Sequence, residues 1–265
     1  MQKNKLLNWI DVADLHTEHL SLNTSAVEYL KEHKSDIDWR LLSYNPAAID
    51  LLSENIKMIA WNNLSENSAA IDLLVANPDK INWDRLSKNC GAIKLLTENP
   101  SKINWVNLSN NWGARELIMA NMDKVCWLNL SANPSVIDVL LANTSKINWH
   151  SFSKNPAAIE YLSLNPDRIV LCALSINPAA RRLITPSRIC WECASKNPEL
   201  IHLLSQNQDK VNWEILTQNT AIFEYDYQTM AKERTGLIEE ELLQNTLHPR
   251  RIQAWLDAGG SLDDI

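Results

Sequence analysis

The chain has 265 residues, a formal net charge of −7, 11 tryptophans and only 5 glycines. This length can bury a large core, and the scarcity of glycine disfavours an all-β protein rich in tight turns. The negative charge disfavours nucleic acid as a partner without excluding it.

The N-terminal segment, residues 1–22, precedes the regular pattern of the chain. It contains Trp9 out of register with the later tryptophans, and we predict that it forms an N-terminal helical cap. It has no apolar stretch of signal-peptide length, and the whole chain has no apolar run long enough to span a membrane. We therefore expect a cytoplasmic protein, with the virion as the other location if the chain is viral, and no membrane partner.

Residues 23–219 repeat with a period of about 22 residues, which is the sequence signature of a repeat architecture. Leu171 replaces one tryptophan, and a deletion of two residues between Leu183 and Ile189 shortens one step. The Trp column comprises Trp39, Trp61, Trp83, Trp105, Trp127, Trp149, Trp191 and Trp213. The first Asn column comprises Asn23, Asn45, Asn67, Asn89, Asn111, Asn133, Asn155, Asn177, Asn197 and Asn219. The second Asn column comprises Asn55, Asn77, Asn99, Asn121, Asn143, Asn165 and Asn207.

Many of these asparagines precede proline, as in Asn77-Pro78. Asparagine is a favoured N-cap and proline suits the first helical position, so both columns predict helix starts. Each repeat then holds a helix A, with Trp83 as one example, and a helix B, with Ile71 as one example. Such short helices are stable only when stacked. We predict an all-α solenoid of two-helix repeats, in about nine to ten units, with the Trp column in the core. The layer spacing gives an open, curved rod on the order of 90 Å long.

Residues 220–265 leave the pattern, and we predict a C-terminal helical cap. One longer helix is expected from Asp226 to Asn245. His248-Pro249 then begins a last helix through Trp255, which Gly259-Gly260 ends.

The unit Lys-Ile-Asn-Trp-x-x-Leu-Ser-x-Asn-Pro-x-Ala-Ile-x-Leu-Leu resembles the Asn-Pro/Trp repeat proteins that giant DNA viruses and some algae encode. The tail is also similar to the closing segment of that family, in residues 223–227, 248–252 and 255–256. The resemblance covers nearly the whole chain. It implies a viral or virus-like origin and no particular activity or catalytic residue.

The chain contains no nucleophile triad, phosphate loop or dinucleotide motif, so we expect no enzymatic activity and no cofactor. Cys190-x-x-Cys193 lacks the two further ligands that zinc requires. A site that adds Cys172 and His150 is the alternative, but we expect no metal and interpret the cysteines as substitutions at variable positions. The Ser column recurs too often to be a set of nucleophiles, and its hydroxyls are expected to bond the preceding helical turn. It comprises Ser43, Ser65, Ser87, Ser109, Ser131, Ser153, Ser175 and Ser195.

A cationic column lies three residues before the Trp column, and an acidic column follows the first residue of helix B. The two columns together favour rows of exposed ion pairs. The alternative is a phosphate-binding stripe for single-stranded nucleic acid. The cationic column comprises Lys80, Lys102, Lys124, Lys146, Arg168, Arg188 and Lys210. The acidic column comprises Glu28, Asp50, Asp72, Glu116, Asp138, Glu160 and Glu224.

We interpret the chain as a non-catalytic protein–protein interaction scaffold or adaptor, with a protein partner of unknown identity. Arg115 and Arg181 stand in the Ile column of helix B, where a buried charge needs a partner. We expect each to pair with a carboxylate; the alternative is that each lines a groove for an anionic group. Arg182, His150 and Arg85 complete the candidate partner-binding residues. The positions that follow the Trp column vary between units and are expected to face the partner; they are Arg40, Asn62, Asp84, Val106, Leu128, His150, Glu192 and Glu214.

Overall fold

The computed structural model describes residues 4–246 and 248–259 and is an all-α repeat structure, about 67% helical. The contacts divide the chain into a repeat domain, Leu6–Phe223, and a terminal unit that holds residues 1–5 and 224–265. The predicted N-terminal cap, residues 1–22, thus falls mainly within the repeat domain. In the part of the chain that the structure describes, no helix is both long and apolar enough to cross a membrane.

Helix A is a single α-helical turn in most units and begins at the Trp column. Where the preceding residue is Asn or Asp, its side chain caps the helix, as where Asn82 Oδ1 accepts from the backbone N–H of Arg85 at 3.1 Å. The helices A are Trp39–Leu42, Trp61–Leu64, Trp83–Leu86, Trp105–Leu108, Trp127–Leu130, Trp149–Ser153, Leu171–Ile176, Trp191–Ala194 and Trp213–Leu216, with the 3₁₀ helix Thr17–Leu22 at the same place in the first unit.

Helix B follows the first Asn column, whose side chains cap its start as predicted. Asn45 Oδ1 accepts from the Ala47 N–H at 3.0 Å, and Pro46 opens the 3₁₀ turn that leads into the helix. The helices B are Val27–Glu32, Ile49–Glu54, Ile71–Ala76, Ile93–Glu98, Arg115–Met119, Ile137–Ala142, Ile159–Leu164 and Ile201–Ser205. The 3₁₀ helices before them are Thr24–Ala26, Pro46–Ala48, Cys90–Ala92, Pro134–Val136, Pro156–Ala158 and Pro198–Leu200, and Thr220–Ile222 holds the same place before the strand Phe223–Tyr225.

The second Asn column has a different role from the predicted one. Asn77 accepts no capping bond, and its Nδ2 donates backward to the Leu73 carbonyl at 2.9 Å. It therefore satisfies a carbonyl at the end of helix B, so the predicted N-cap is wrong for this column. Short 3₁₀ helices then lead to helix A: Val12–Asp14, Lys34–Asp36, Ile56–Met58, Pro78–Lys80, Pro100–Lys102, Thr144–Lys146, Pro166–Arg168 and Gln208–Lys210.

The first Asn column and the Ser column join each unit to the one before it. Asn111 is fully buried, and its Nδ2 donates to the carbonyls of Ser87 and Asn89 at 3.0 and 2.9 Å. Ser109 Oγ donates to the Trp105 carbonyl, as predicted, and accepts the Cys126 N–H of the next unit at 2.9 Å. Buried backbone groups that would otherwise lack partners are satisfied in this way.

The stack of units closes on itself. Asn23 Nδ2 donates to the carbonyls of Thr217 and Asn219 at 3.1 and 2.9 Å. The His16 N–H donates to Thr217 Oγ1 at 3.2 Å. The same kinds of bond link all the other pairs of neighbouring units. The first unit therefore stacks on the last. The predicted open rod is therefore wrong: the ten members of the first Asn column form a ring, and no end face needs a cap.

The core consists mainly of leucine and alanine, with some isoleucine, rather than tryptophan. Leu86, Leu96 and Leu108 are fully buried. The indoles of the Trp column pack against this core but remain half-buried. The predicted contact between the tryptophans and the core is therefore confirmed, but the prediction that the indoles are fully buried is wrong.

The shortened unit keeps the stacking and loses its helix B. The six-residue 3₁₀ helix Pro178–Leu183 takes the place of the usual turn and α-helix, and Thr185 bridges to Arg188. Asn197 Nδ2 still donates to the Ser175 and Asn177 carbonyls, both at 3.0 Å. The two-residue deletion therefore shortens the helix B region and leaves the buried Asn197 hydrogen bonds between units in place.

The terminal unit contains the two predicted helices, Tyr227–Thr246 and Pro249–Asp257. His248 caps the second one, with Nδ1 accepting from the Arg250 N–H at 3.2 Å. The helix stops before Gly259, which has a φ of 96° that favours glycine. Gly260, the other half of the predicted stop, lies outside the described residues. The strands Asn4–Leu6 and Phe223–Tyr225 form a two-stranded sheet.

Candidate interaction surface

The cationic column does not pair with the acidic column among the described residues; most of its members lie over tryptophans instead. Each of these cations covers the indole of the preceding unit, whose electron-rich face attracts it. The distances from Lys Nζ or Arg Cζ to the ring centroid are 4.2 Å for Lys102 and Trp83, 4.8 Å for Lys124 and Trp105, 4.6 Å for Lys146 and Trp127, 5.1 Å for Arg168 and Trp149, and 4.9 Å for Lys210 and Trp191.

Two members of the cationic column differ from this pattern. Arg188 Nη2 donates to the Pro166 carbonyl at 3.5 Å, because Leu171 offers no aromatic face in that unit. Lys80 is exposed. The predicted rows of ion pairs between the two columns are wrong because the tryptophans lie nearer to the cations.

We expect Trp105→Ala to lower the free energy of unfolding by about 3 kcal/mol, since it opens a cavity beside the core and leaves Lys124 without its contact. Lys124→Met keeps the apolar stem and removes the charge, and should cost about 1 kcal/mol or less. Urea unfolding followed by circular dichroism measures both. Equal losses for the two variants would mean that the indole contributes nothing beyond its cation contact.

Arg115 pairs with a carboxylate, as predicted. Its Nη1 and Nη2 donate to Asp138 Oδ1 and Oδ2 of the next unit at 2.9 and 2.8 Å, and Nη1 also donates to the Ser135 carbonyl. The Arg115 hydrogen bonds lower the pKa of Asp138 to about 2. The stabilisation by this pair is present above the ordinary pKa of the carboxyl and is lost as the pH falls through about 2. The Ile column is itself half-buried, which is why arginine fits there.

Arg181 does not pair with a carboxylate. It is exposed, and its Nη1 donates to the Glu199 carbonyl at 3.2 Å, so the predicted carboxylate pairing is wrong at this position. Arg182 lines an open groove of about 540 Å³ whose wall includes Ile159, Glu160 and Leu183. This groove lies beside the shortened unit.

Arg85 is held within the repeat domain by two side chains of earlier units. Its Nη1 donates to Tyr44 Oη and lies 3.5 Å from Glu66 Oε2, while the guanidinium covers the Tyr44 ring at 5.5 Å. A side chain restrained in this way is less available to a partner than the sequence suggested.

The residues that follow the Trp column form an exposed row, which we call the outer row. Asn side chains of the next unit fix its backbone: Asn107 Nδ2 donates to the Asp84 carbonyl, and Asn129 Nδ2 to the Val106 carbonyl, both at 2.7 Å. Val106 and Leu128 are 52% and 53% exposed. The outer row consists of Arg40, Asn62, Asp84, Val106, Leu128, His150, Cys172, Glu192 and Glu214, all exposed.

Three thiols meet where the outer row passes the shortened unit. The Sγ atoms of Cys172, Cys190 and Cys193 all lie within 4.8 Å of one another. Burial, together with the neighbouring Cys190, raises the pKa of Cys193 to about 12. His150, which the sequence offered as a further ligand, is not part of this cluster. The alternative grouping of Cys172 with Cys190 and Cys193 is therefore the one that the structure brings together, and the interpretation of these cysteines as unrelated substitutions does not account for their proximity.

Of the candidate partner-binding residues, His150 lies in the outer row, Arg182 lines the groove, and the Arg181 guanidinium bonds the Glu199 carbonyl. The structure does not bring the five together into one site. Comparisons with protein-family models, curated proteins and solved structures find no match to this chain. Any functional assignment must therefore be argued from the surface of this chain.

Proposed function

We propose that the chain is a non-catalytic protein–protein interaction scaffold of viral or virus-like origin, acting in the cytoplasm or in a virion. The observation that supports this proposal is the outer row. The neighbouring Ser and first Asn columns are nearly uniform and buried, whereas the outer row is exposed and differs from unit to unit. Sequence variation confined to an exposed position on a rigid repeat is typical of recognition by solenoid proteins.

The chemistry of the outer row indicates what a partner would present. Val106 and Leu128 occupy adjacent units and are both about half exposed. Asp84 precedes this pair and His150 follows it. Apolar side chains with polar neighbours form the centre and rim of many interfaces. The expected partner segment therefore carries an apolar anchor with polar groups on either side.

The proposal is tested with the double variant Val106→Asp and Leu128→Asp. Both side chains are exposed, so the charges should leave the fold intact while removing the apolar centre of the surface. In affinity capture from native lysate, followed by titration of the captured partner, we expect binding to weaken at least tenfold, on the order of 1.4 kcal/mol or more.

The matched control is Val75→Asp with Leu141→Asp, at exposed apolar positions on helix B that are 57% and 40% accessible. It should bind the partner as the unchanged protein does. If the control loses the partner and the outer-row variant keeps it, the binding surface lies along helix B and the proposed surface is wrong.

The second candidate is single-stranded nucleic acid along the cationic column, since six of its seven members are exposed. Against it, Asp79, Asp123, Asp167 and Asp209 immediately precede cations of the column, and Arg168 Nε lies 3.3 Å from Asp167. These carboxylates reduce the positive potential. Fluorescence anisotropy with a labelled oligonucleotide distinguishes the two functions. Binding that weakens steeply with salt and is lost in the joint Lys102→Gln, Lys124→Gln and Lys146→Gln variant would favour nucleic acid.

A further inference from the structure

We propose that Cys172, Cys190 and Cys193 form a binding site for one thiophilic metal ion of the Zn²⁺ class, held by three thiolates. The fourth coordination position is open to water or to a ligand from outside the chain. This inference is independent of the proposed scaffold function.

The distances suit such an ion. Three sulfur atoms within 4.8 Å of one another need only small rotations to reach the sulfur–sulfur separation of about 3.8 Å that tetrahedral Zn–S bonds of about 2.3 Å require. All three donors are soft thiolates, which select zinc or monovalent copper over magnesium or calcium. Binding would release the thiol protons to solvent.

The repeat itself explains why these three positions meet. Four units earlier in the ring, Asn104 Nδ2 donates to Asp84 Oδ1 at 2.9 Å, and Asn104 Oδ1 accepts the Asn107 N–H at 3.1 Å. Asp84, Asn104 and Asn107 hold the places that Cys172, Cys190 and Cys193 hold in the shortened unit. The same three places are therefore adjacent at both of these junctions between consecutive units.

The backbone beneath the cysteines matches that of the other units. The Cys190 N–H donates to Ser175 Oγ at 3.0 Å, as the Asn104 N–H donates to Ser87 Oγ at 2.9 Å. Cys190 precedes the helix Trp191–Ala194, and Cys193 lies within it. A rigid, repeated backbone holds the donors before a metal arrives, which favours binding.

The remaining cysteines provide the comparison. Cys126 occupies the same place as Cys190, but its neighbours are Val106 and Asn129. It is a single thiol in that position and cannot chelate. Three of the 5 cysteines in the chain fall on one set of adjacent positions, which substitution at variable positions does not explain.

The test uses the full chain under reducing conditions, titrated with Zn²⁺ against a chromophoric chelator and with Co²⁺ as a spectroscopic probe. We expect one ion per chain and the intense sulfur-to-cobalt charge-transfer absorption of a thiolate site. Cys172→Ser, Cys190→Ser and Cys193→Ser should each weaken Zn²⁺ binding by on the order of 100-fold, because even outer-shell changes cost about 10–100-fold.

Cys126→Ser is the matched control and should leave the affinity unchanged. A complementary gain of function is Val106→Cys with Asn129→Cys, which places two thiols beside Cys126 and should raise the capacity to two ions per chain. The proposal is overturned if the reduced chain binds no Zn²⁺, if Cys126→Ser weakens binding as much as Cys190→Ser, or if the added thiols create no second site.

Discussion

Asn111→Asp is expected to lower the free energy of unfolding by about 4 kcal/mol, the largest effect of any single substitution proposed for this chain. The Asn111 side chain is fully buried, and its Nδ2 donates to two carbonyls of the preceding unit. Its Oδ1 accepts the Gly113 N–H at 3.0 Å. Aspartate keeps the acceptor but replaces both donor bonds with a buried negative charge that faces two carbonyl oxygens.

Guanidinium unfolding followed by tryptophan fluorescence measures this loss. The control is Asn110→Asp, which places the same charge one residue earlier, on an exposed side chain. It should change stability by no more than about 0.5 kcal/mol. If the two variants were equally stable, the buried side-chain amides of the first Asn column would not hold the units together.

Asn23→Ala is expected to destabilise the chain as much as Asn67→Ala, by about 3 kcal/mol each. Asn67 joins neighbouring units within the chain, through bonds to the Ser43 and Asn45 carbonyls at 3.1 and 3.0 Å. Asn23 makes the corresponding bonds to Thr217 and Asn219, which are nearly 200 residues away in sequence. Both side chains are buried.

This comparison tests whether the ring is closed. In an open array the first unit frays, and loss of its asparagine costs little. Amide hydrogen exchange adds an independent measurement: in a closed ring, the N–H groups of the first and last units should be as protected as those of the middle units. A small effect of Asn23→Ala with a large effect of Asn67→Ala would contradict closure.

The repeat period, the helical class and the capping role of the first Asn column could be predicted from the sequence, because each follows from local preferences at fixed spacing. Asn45 and Pro46 are sufficient for that inference. The two helices of the terminal unit were predictable for the same reason, since His248-Pro249 and Gly259 are local signals.

Closure could not be predicted, because it depends on the rotation between neighbouring units. This angle is small, accumulates around the ring, and is not specified by the type of any single residue. The contact between Lys124 and Trp105 was missed because the pair lies in different units, where periodicity shows only that both columns exist. Asn77 was misassigned because one side chain can serve either end of a helix. To assign the thiol cluster, one must know which positions of adjacent units are in contact.

Closure also limits how this gene can change. An open solenoid can gain or lose a repeat by duplication or deletion, since only its length changes. Here the junctions together complete a closed ring, so one additional or missing 22-residue segment would require a different curvature at the remaining junctions. The shortened segment near Pro178 illustrates the kind of change that the ring tolerates. It lacks the α-helix B and keeps the Asn197 hydrogen bonds between units. Variation should therefore accumulate in side chains and within repeats, with the number of repeats held constant.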